Sequence, residues 1–139
     1  MPSLNTYLNF NGNAEEAMNL YKSVFGGEFL MMSKFSDAPS DAKLPEGKDG
    51  VLHAALRVGN SILMASDCPP GVHVTHGSGG YFISINADSK EQADAYFSGL
   101  SAGGTVKMPM GDTFWGAYFG MLTDKFGIDW MISYDVNSK

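Results

Sequence analysis

The sequence is poor in cysteine and in positive charge, and each shortage excludes a class of protein. Cys68 is the single cysteine among 139 residues, so an internal disulfide framework is excluded and a reducing compartment suits the chain. Nine Lys and Arg residues stand against 15 Asp and Glu, which gives a formal net charge of −6. Because nucleic acids and anionic membranes attract clustered basic residues, we expect neither of them as a partner.

Long hydrophobic runs are missing as well. No apolar stretch approaches the roughly 18–20 residues that span a bilayer. The opening residues, MPSLNTYLNF, lack the basic and apolar pattern of a secretory signal, so we expect a cytoplasmic protein. The length is that of one domain with its own core. Glycine is abundant, at 17 residues, which suits many tight connections between strands.

Two segments have the periodicity of amphipathic helices. The first carries an apolar stripe within Ala17–Phe25, and Asn13 is its predicted N-cap. The second carries a stripe within Ala93–Leu100, and Ser89 with Gln92 forms a capping box in front of it. Each stripe is followed by a glycine pair, which is typical of a helix end.

The two halves of the chain have the same order of predicted elements. A shift of 76 residues aligns the two helices and places Tyr21 on Phe97. The predicted strands are Leu4–Phe10, Glu28–Phe35, Val51–Val58 and Ser61–Asp67, then Tyr81–Asn86, Thr105–Met110, Phe114–Leu122 and Asp129–Asp135. We therefore predict an α+β fold of two βαβββ modules, 1–68 and 80–139, joined by a linker at 69–79.

Alternation along the strand Val51–Val58 separates an apolar face from a more polar one. The apolar face consists of Leu52, Ala54, Leu56 and Val58. His53 and Arg57 lie on the other face, and Tyr7 and Asn9 occupy the matching face of the first strand. If helices cover the apolar faces, these four polar side chains line the uncovered side of the sheet. A strongly curved sheet turns that side into a cup for a small molecule.

Aromatic residues are concentrated in the second module. One interpretation places most of them in the core. The other places some of them in the cup, since small-molecule sites are commonly lined by aromatic side chains beside a few polar groups. Under the second interpretation, Trp115 and Trp130 are the predicted ligand contacts.

Three segments make the chain resemble a known family. They are YLNFNGNAEEAMNLYKSVFGGE, HAALRVGNSILMASD and DTFWGAYFGMLTDKFGIDWMI, and together they cover nearly the whole sequence in order. They resemble PhnB-like proteins, a branch of the vicinal oxygen chelate (glyoxalase/bleomycin-resistance/dioxygenase) superfamily. The resemblance implies paired βαβββ modules that form a curved mixed sheet, shaped as a cup, and a homodimer.

Enzymes of that superfamily commonly hold a divalent metal with His and Glu ligands from four strands. The positions that the resemblance implies here hold Thr6 or Tyr7, His53, Phe82–Ser84 and Met131. Of these, His53 alone is a usual ligand of a catalytic divalent ion. We therefore predict no metal and no cofactor. Some members carry a demethylubiquinone methyltransferase label, but the chain has no strand, Gly-rich loop and helix of the kind that binds a nucleotide-like cofactor.

The candidate site leaves several functions open. His53 is the candidate catalytic residue, as a general base or a hydrogen-bonding group, or else it is structural. Arg57 either binds an anionic ligand or pairs with Asp67 across a hairpin. The leading hypothesis is a small-molecule binding protein without the usual catalytic metal. The alternatives are a metal-independent or atypical-metal enzyme (lyase, isomerase or dioxygenase) that uses His53, and a dimer with a structural or regulatory role.

Overall fold

The structure is a computed structural model that describes residues 2–34, 50–68, 72–76 and 80–136. Its elements in chain order are β1 (Thr6–Phe10), α1 (Ala14–Phe25), β2 (Glu28–Lys34), β3 (Val51–Val58), β4 (Ser61–Asp67), β5 (Ile83–Asn86), α2 (Lys90–Ser101), β6 (Thr105–Asp112), β7 (Ala117–Thr123) and β8 (Asp129–Asp135). Each half runs strand, helix and three strands. The predicted α+β fold with two βαβββ modules is confirmed. Phe35, the predicted end of β2, lies outside the described residues, as does part of the predicted linker.

The chain forms two compact units, Met1–Val74 and Thr75–Lys139, which we call unit 1 and unit 2. Each unit contains one four-stranded mixed sheet. The strand order is β1-β4-β3-β2 in unit 1 and β5-β8-β7-β6 in unit 2. In both sheets the first strand is parallel to its neighbour and the remaining pairs are antiparallel. The identical topology of the two sheets supports the duplication inferred from the 76-residue shift.

Helix α1 starts where the sequence predicts, but a different residue stabilises its start. Asn13 occupies the N-cap position without a side-chain capping bond. The carboxylate of Asp67 accepts from the backbone N–H groups of Gly12 and Ala14 through Oδ1, at 2.8 and 2.9 Å, and from Val51 through Oδ2, at 2.8 Å. One carboxylate at the end of β4 therefore holds the start of α1 and the start of β3 together, and a negative charge suits a helix N-terminus.

Helix α2 begins at the predicted N-cap, Ser89, with one bond of a capping box and a variant of the other. The Oγ of Ser89 accepts from the Gln92 backbone N–H at 3.0 Å, and the Gln92 side chain accepts from the Asp88 backbone N–H at 2.7 Å. These two bonds satisfy N–H groups that have no partner inside the helix. Within the described ranges, neither helix is long and apolar enough to cross a membrane.

The core of unit 1 lies between α1 and one face of its sheet. The buried residues of the helix are Ala14, Ala17, Met18 and Tyr21. The buried residues of the sheet face are Leu8, Phe10, Ala54, Leu56, Leu63 and Ala65. Leu52 was expected on this face but is 40% exposed. The register between β2 and β3 passes from Ser33↔His53 to Lys34↔Val51 and skips Leu52, and such a bulge breaks the alternation of side chains.

The core of unit 2 depends on a close approach between α2 and β7. A Cβ atom added at Gly120 would lie 2.9 Å from Cε2 of Phe97 and 2.6 Å from Sδ of Met110, so only glycine fits without displacement. Tyr118, two residues earlier on the same face of β7, donates to Asp94 of α2 at 2.6 Å. The face of this sheet that carries Gly120 is therefore the face that α2 covers.

Candidate functional site

The side chains of the unit 1 sheet that point away from α1 form what we call the helix-free face. The strand register arranges them in three rows. A polar row holds Asn9, Ser66, His53 and Ser33; a methionine row holds Tyr7, Met64, Ala55 and Met31; and a charged row holds Ile62, Arg57 and Glu28. Along the strands the face therefore changes from hydrogen-bonding groups to an apolar strip and then to charge.

Tyr7 and His53 meet on this face. The phenol Oη of Tyr7 lies 3.2 Å from Nδ1 of His53, and the two ring centroids are 5.7 Å apart. Tyr7 belongs to β1 and His53 to β3, with β4 between them, so the contact spans two strand spacings. Tyr7 is 45% exposed and His53 is half-buried, so both side chains have exposed surface that is accessible to a ligand.

Asn9 lies in the polar row, where its partner is Ser66. The hydroxyl of Ser66 donates to Oδ1 of Asn9 at 3.3 Å. The amide nitrogen of Asn9 takes no part in this bond. The structure thus places three of the predicted site residues, Tyr7, Asn9 and His53, on one face of three adjacent strands.

Arg57 shares this face but stands apart from His53. The two residues are four positions apart on one strand, which separates their Cα atoms by about 13 Å. Arg57 is exposed and lies opposite Glu28 in the strand register. The interpretation that Arg57 pairs with Asp67 is wrong, since Asp67 points to the α1 side of the sheet and accepts three backbone N–H groups there.

Trp115 lies in a turn rather than in the strand Phe114–Leu122 that the sequence predicts. The strand β7 starts at Ala117 because Thr113 closes a turn in front of it: its Oγ1 donates to the carbonyl oxygen of Ala117 at 2.8 Å. Trp115 is 59% exposed, and its ring packs edge-on against Phe119, with centroids 5.9 Å apart. Trp115 and Phe119 thus offer a partly exposed aromatic surface in unit 2.

Trp130 lies in the core of unit 2. Its side chain is 2% exposed, and its indole N–H donates to Oδ2 of Asp124 at 2.9 Å. Asp124 also accepts from the backbone N–H groups of Phe126 and Ile128, which shapes the connection between β7 and β8. This position corresponds to the core interpretation that the sequence left open, and the buried indole has almost no surface to offer a ligand.

Cys68 is unsuited to act as a nucleophile. It directly follows β4 and is buried. Burial raises the pKa of its thiol, and the negative charge of Asp67 raises it further. Because the thiolate is the reactive form, a raised pKa lowers the reactivity of the side chain.

The divalent metal of the superfamily enzymes does not fit the residues of this chain. Within 2–34, 50–68, 72–76 and 80–136, no three His, Cys, Asp or Glu side chains are close enough to share an ion. The side chains at the implied positions include the phenol of Tyr7 and the thioether of Met131, beside the imidazole of His53. Catalytic zinc sites use three protein ligands, and hard divalent ions prefer carboxylates, so this donor set suits neither.

Comparison with known proteins identifies the family. A family model described as 3-demethylubiquinone-9 3-methyltransferase matches residues 2–133. The chain belongs to this family. Protein YjdN of Escherichia coli is a relative of this chain: it is 32% identical over 139 residues, which cover 94% of this chain and 93% of that protein.

Solved structures agree with the family assignment. Protein PA1353 from Pseudomonas aeruginosa is 43% identical, with a TM-score of 0.86 over 97% of this chain and 98% of that chain. A PhnB protein from Bacillus cereus is 27% identical, with a TM-score of 0.76 over 96% and 99%. A glyoxylase/bleomycin resistance protein/dioxygenase domain from Frankia is 11% identical with a TM-score of 0.69 over 97% and 98%, a likeness of fold alone. The resemblance to the PhnB-like family is confirmed, and the fold is that of glyoxalase/bleomycin resistance/dioxygenase proteins.

Proposed function

We propose that this protein binds a small molecule on the helix-free face of unit 1, with His53 and Tyr7 as its polar contacts. The observation that carries the proposal is the Tyr7–His53 contact on the sheet face opposite α1. Both side chains retain exposed surface there. The contact brings two polar rings together on this face, and a few well-placed polar groups give a binding site its orientation and specificity.

The neighbouring rows supply what a binding site needs besides polar contacts. The methionine row offers an apolar surface that adapts to a ligand, because methionine side chains are flexible and polarizable. Met31 is 50% exposed and Met64 is half-buried, so both have surface available. Arg57 offers a positive charge at the far end of the face. Separately, we propose that the exposed ring of Trp115 is a ligand contact within unit 2.

The proposal includes binding without the usual catalytic metal and assembly as a homodimer. The poor fit of the donor set supports the first point. For the second, β1 and β2 are the edge strands of the sheet in unit 1, and edge strands favour pairing or coverage by a partner.

The second candidate is catalysis at His53, and the Tyr7–His53 contact favours it. A His–Tyr pair is suited to proton transfer, which a metal-independent lyase, isomerase or dioxygenase at His53 would use. Under the first candidate the protein binds a small molecule and leaves it unchanged. Under the second it converts a substrate into a product.

The experiment is a mass-spectrometric screen of the native protein for retained small molecules, followed by affinity measurements on His53→Ala. We expect a loss of at least about tenfold in affinity, since a ligand hydrogen bond contributes on the order of 1.4 kcal/mol. His73→Ala is the matched control, because His73 is exposed in the same unit. It should bind normally.

The melting temperature separates a binding role from a structural one. His53 is half-buried, so we expect His53→Ala to melt within a few degrees of the wild type. A sharp drop in melting temperature with unchanged affinity would make His53 structural and remove the proposed site. Chemical conversion of a retained molecule by the wild type but not by His53→Ala would favour the second candidate.

A further inference from the structure

We infer that Tyr7 donates its phenolic hydrogen to Nδ1 of His53, so that His53 carries its own hydrogen on Nε2 and presents a hydrogen-bond donor to the ligand. Tyr7 is then a positioning residue that acts through His53. The inference rests on the proposed function for the place where the ligand lies. The tautomer of His53 can be tested without any ligand.

The identity of the two facing atoms supports this direction of the bond. The atom of His53 that lies 3.2 Å from the phenol oxygen is Nδ1. A neutral imidazole has one nitrogen that donates and one that accepts, and a phenol can do either. Imidazole nitrogen is by far the stronger base of the two acceptors, and phenol is an acidic donor. The bond is therefore stronger with the hydrogen on the Tyr7 oxygen, which leaves Nδ1 unprotonated.

The other nitrogen of the ring is available to a ligand. In the part of the chain that the structure describes, the hydrogen bond of His53 is the one with Tyr7. The imidazole is half-buried. With Nδ1 engaged and unprotonated, Nε2 carries the hydrogen and needs an acceptor.

The polar and apolar side chains around His53 indicate the chemical class of the ligand. The donors of the helix-free face include Nε2–H of His53, the amide nitrogen of Asn9 and the guanidinium of Arg57, which lies opposite Glu28, whereas Oδ1 of Asn9 already accepts from Ser66. Between His53 and Arg57 lies the methionine row. We therefore assign to this face a molecule with an acceptor oxygen, as in a carboxylate or carbonyl, attached to an apolar part. This preference runs against the net charge of −6, which attracts cations at long range.

The same tautomer bears on the choice between binding and catalysis. A general base needs a free lone pair at the atom that takes the proton. If Nδ1 accepts from Tyr7 and Nε2 holds a hydrogen, neither nitrogen has one. The inferred arrangement therefore suits recognition of an acceptor oxygen and does not suit proton abstraction.

The first experiment is ¹⁵N NMR of the histidine rings at pH 8, where an unperturbed imidazole is neutral. We expect the His53 signals of the wild type to show a hydrogen on Nε2 and an Nδ1 shifted by accepting a hydrogen bond. Tyr7→Phe should abolish that shift and leave His73 unchanged. Tyr81→Phe, at a tyrosine that is 74% exposed, is the matched control and should alter neither ring.

A hydrogen on Nδ1 of His53 in the wild type would overturn the inference, as would an Nδ1 signal that is the same in Tyr7→Phe. The wild-type spectrum decides the tautomer even if a variant folds poorly. If His53→Ala loses ligand affinity while the wild type carries its hydrogen on Nδ1, the proposed function stands and this inference fails.

The second experiment tests the ligand class with two fragments that share one ring, benzoate and benzylammonium. Benzoate offers acceptor oxygens and benzylammonium offers donors. At millimolar concentration and pH 8, we expect benzoate to shift the His53 ring signals and benzylammonium to leave them unchanged. A shift from benzylammonium alone, or no shift from either fragment, would overturn the assigned class of ligand.

Discussion

The carboxylate of Asp67 allows a quantitative test of how unit 1 is held together. Its two oxygens accept three backbone N–H groups, and the residue is 3% exposed. Asp67→Asn keeps the shape of the side chain and replaces one oxygen by an NH₂ donor. Whichever way the amide turns, at least one of the N–H groups of Gly12, Ala14 and Val51 then faces another donor.

We expect Asp67→Asn to lower the free energy of unfolding by about 3 kcal/mol. A hydrogen bond to a charged group contributes about 1.5–3 kcal/mol, and a buried donor left without an acceptor costs roughly 1–3 kcal/mol. One lost bond and two weakened ones therefore reach about 3 kcal/mol. This is a large fraction of the total stability of a small domain.

The assay is urea unfolding, with hydrogen exchange to locate the effect. Asp112→Asn is the control, since the Asp112 carboxylate is 74% exposed and lies 3.5 Å from Lys90. Exposed ion pairs contribute about 0–1 kcal/mol, so this variant should stay close to the wild type. In Asp67→Asn the amides of Ala14 and Val51 should exchange faster than in the wild type. A stability within about 0.5 kcal/mol of the wild type would refute the role assigned to Asp67.

Three further predictions concern packing, reactivity and assembly. Gly120→Ala should lower the free energy of unfolding by about 1–3 kcal/mol in urea unfolding, whereas Gly111→Ala, which has open space around it, should change it little. Iodoacetamide should label Cys68 slowly at pH 8 and rapidly after unfolding, because burial raises the pKa of the thiol; fast labelling of the folded protein would contradict this. Light scattering should give about twice the chain mass of 14.9 kDa, and a mass of one chain at micromolar concentration would end the homodimer proposal.

The elements that could be predicted from sequence are those with local signals. Both helices have the expected bounds, since capping residues and glycines mark their ends within a few residues of chain. The strands Val51–Val58, Ser61–Asp67 and Asp129–Asp135 have the predicted bounds because turn residues flank them. Strand alternation predicted that Tyr7 and His53 lie on the same face, and the structure adds the 3.2 Å contact between Oη of Tyr7 and Nδ1 of His53.

What could not be predicted depends on partners distant in the chain. The exposure of Leu52 comes from a bulge between β2 and β3, and its apolar side chain gives no sign of it. Thr113 closes the turn at 113–116 through a hydrogen bond of its hydroxyl group. The alternation of side chains that predicts a strand gives no information about such a bond. The role of Asp67 required knowing that three backbone N–H groups, two of them more than 50 residues away, meet at the end of β4.

The carboxylates at the two strand ends show how far the halves have diverged. Aligning β4 with β8 places Asp67 on Asp135, yet Asp67 is buried and Asp135 is exposed. The buried carboxylate that organises backbone N–H groups in unit 2 is Asp124, in the connection between β7 and β8. Tolerance to substitution measured at one half therefore does not transfer to the matching position of the other. A mutational profile averaged over the two repeats would merge acidic positions that have different roles.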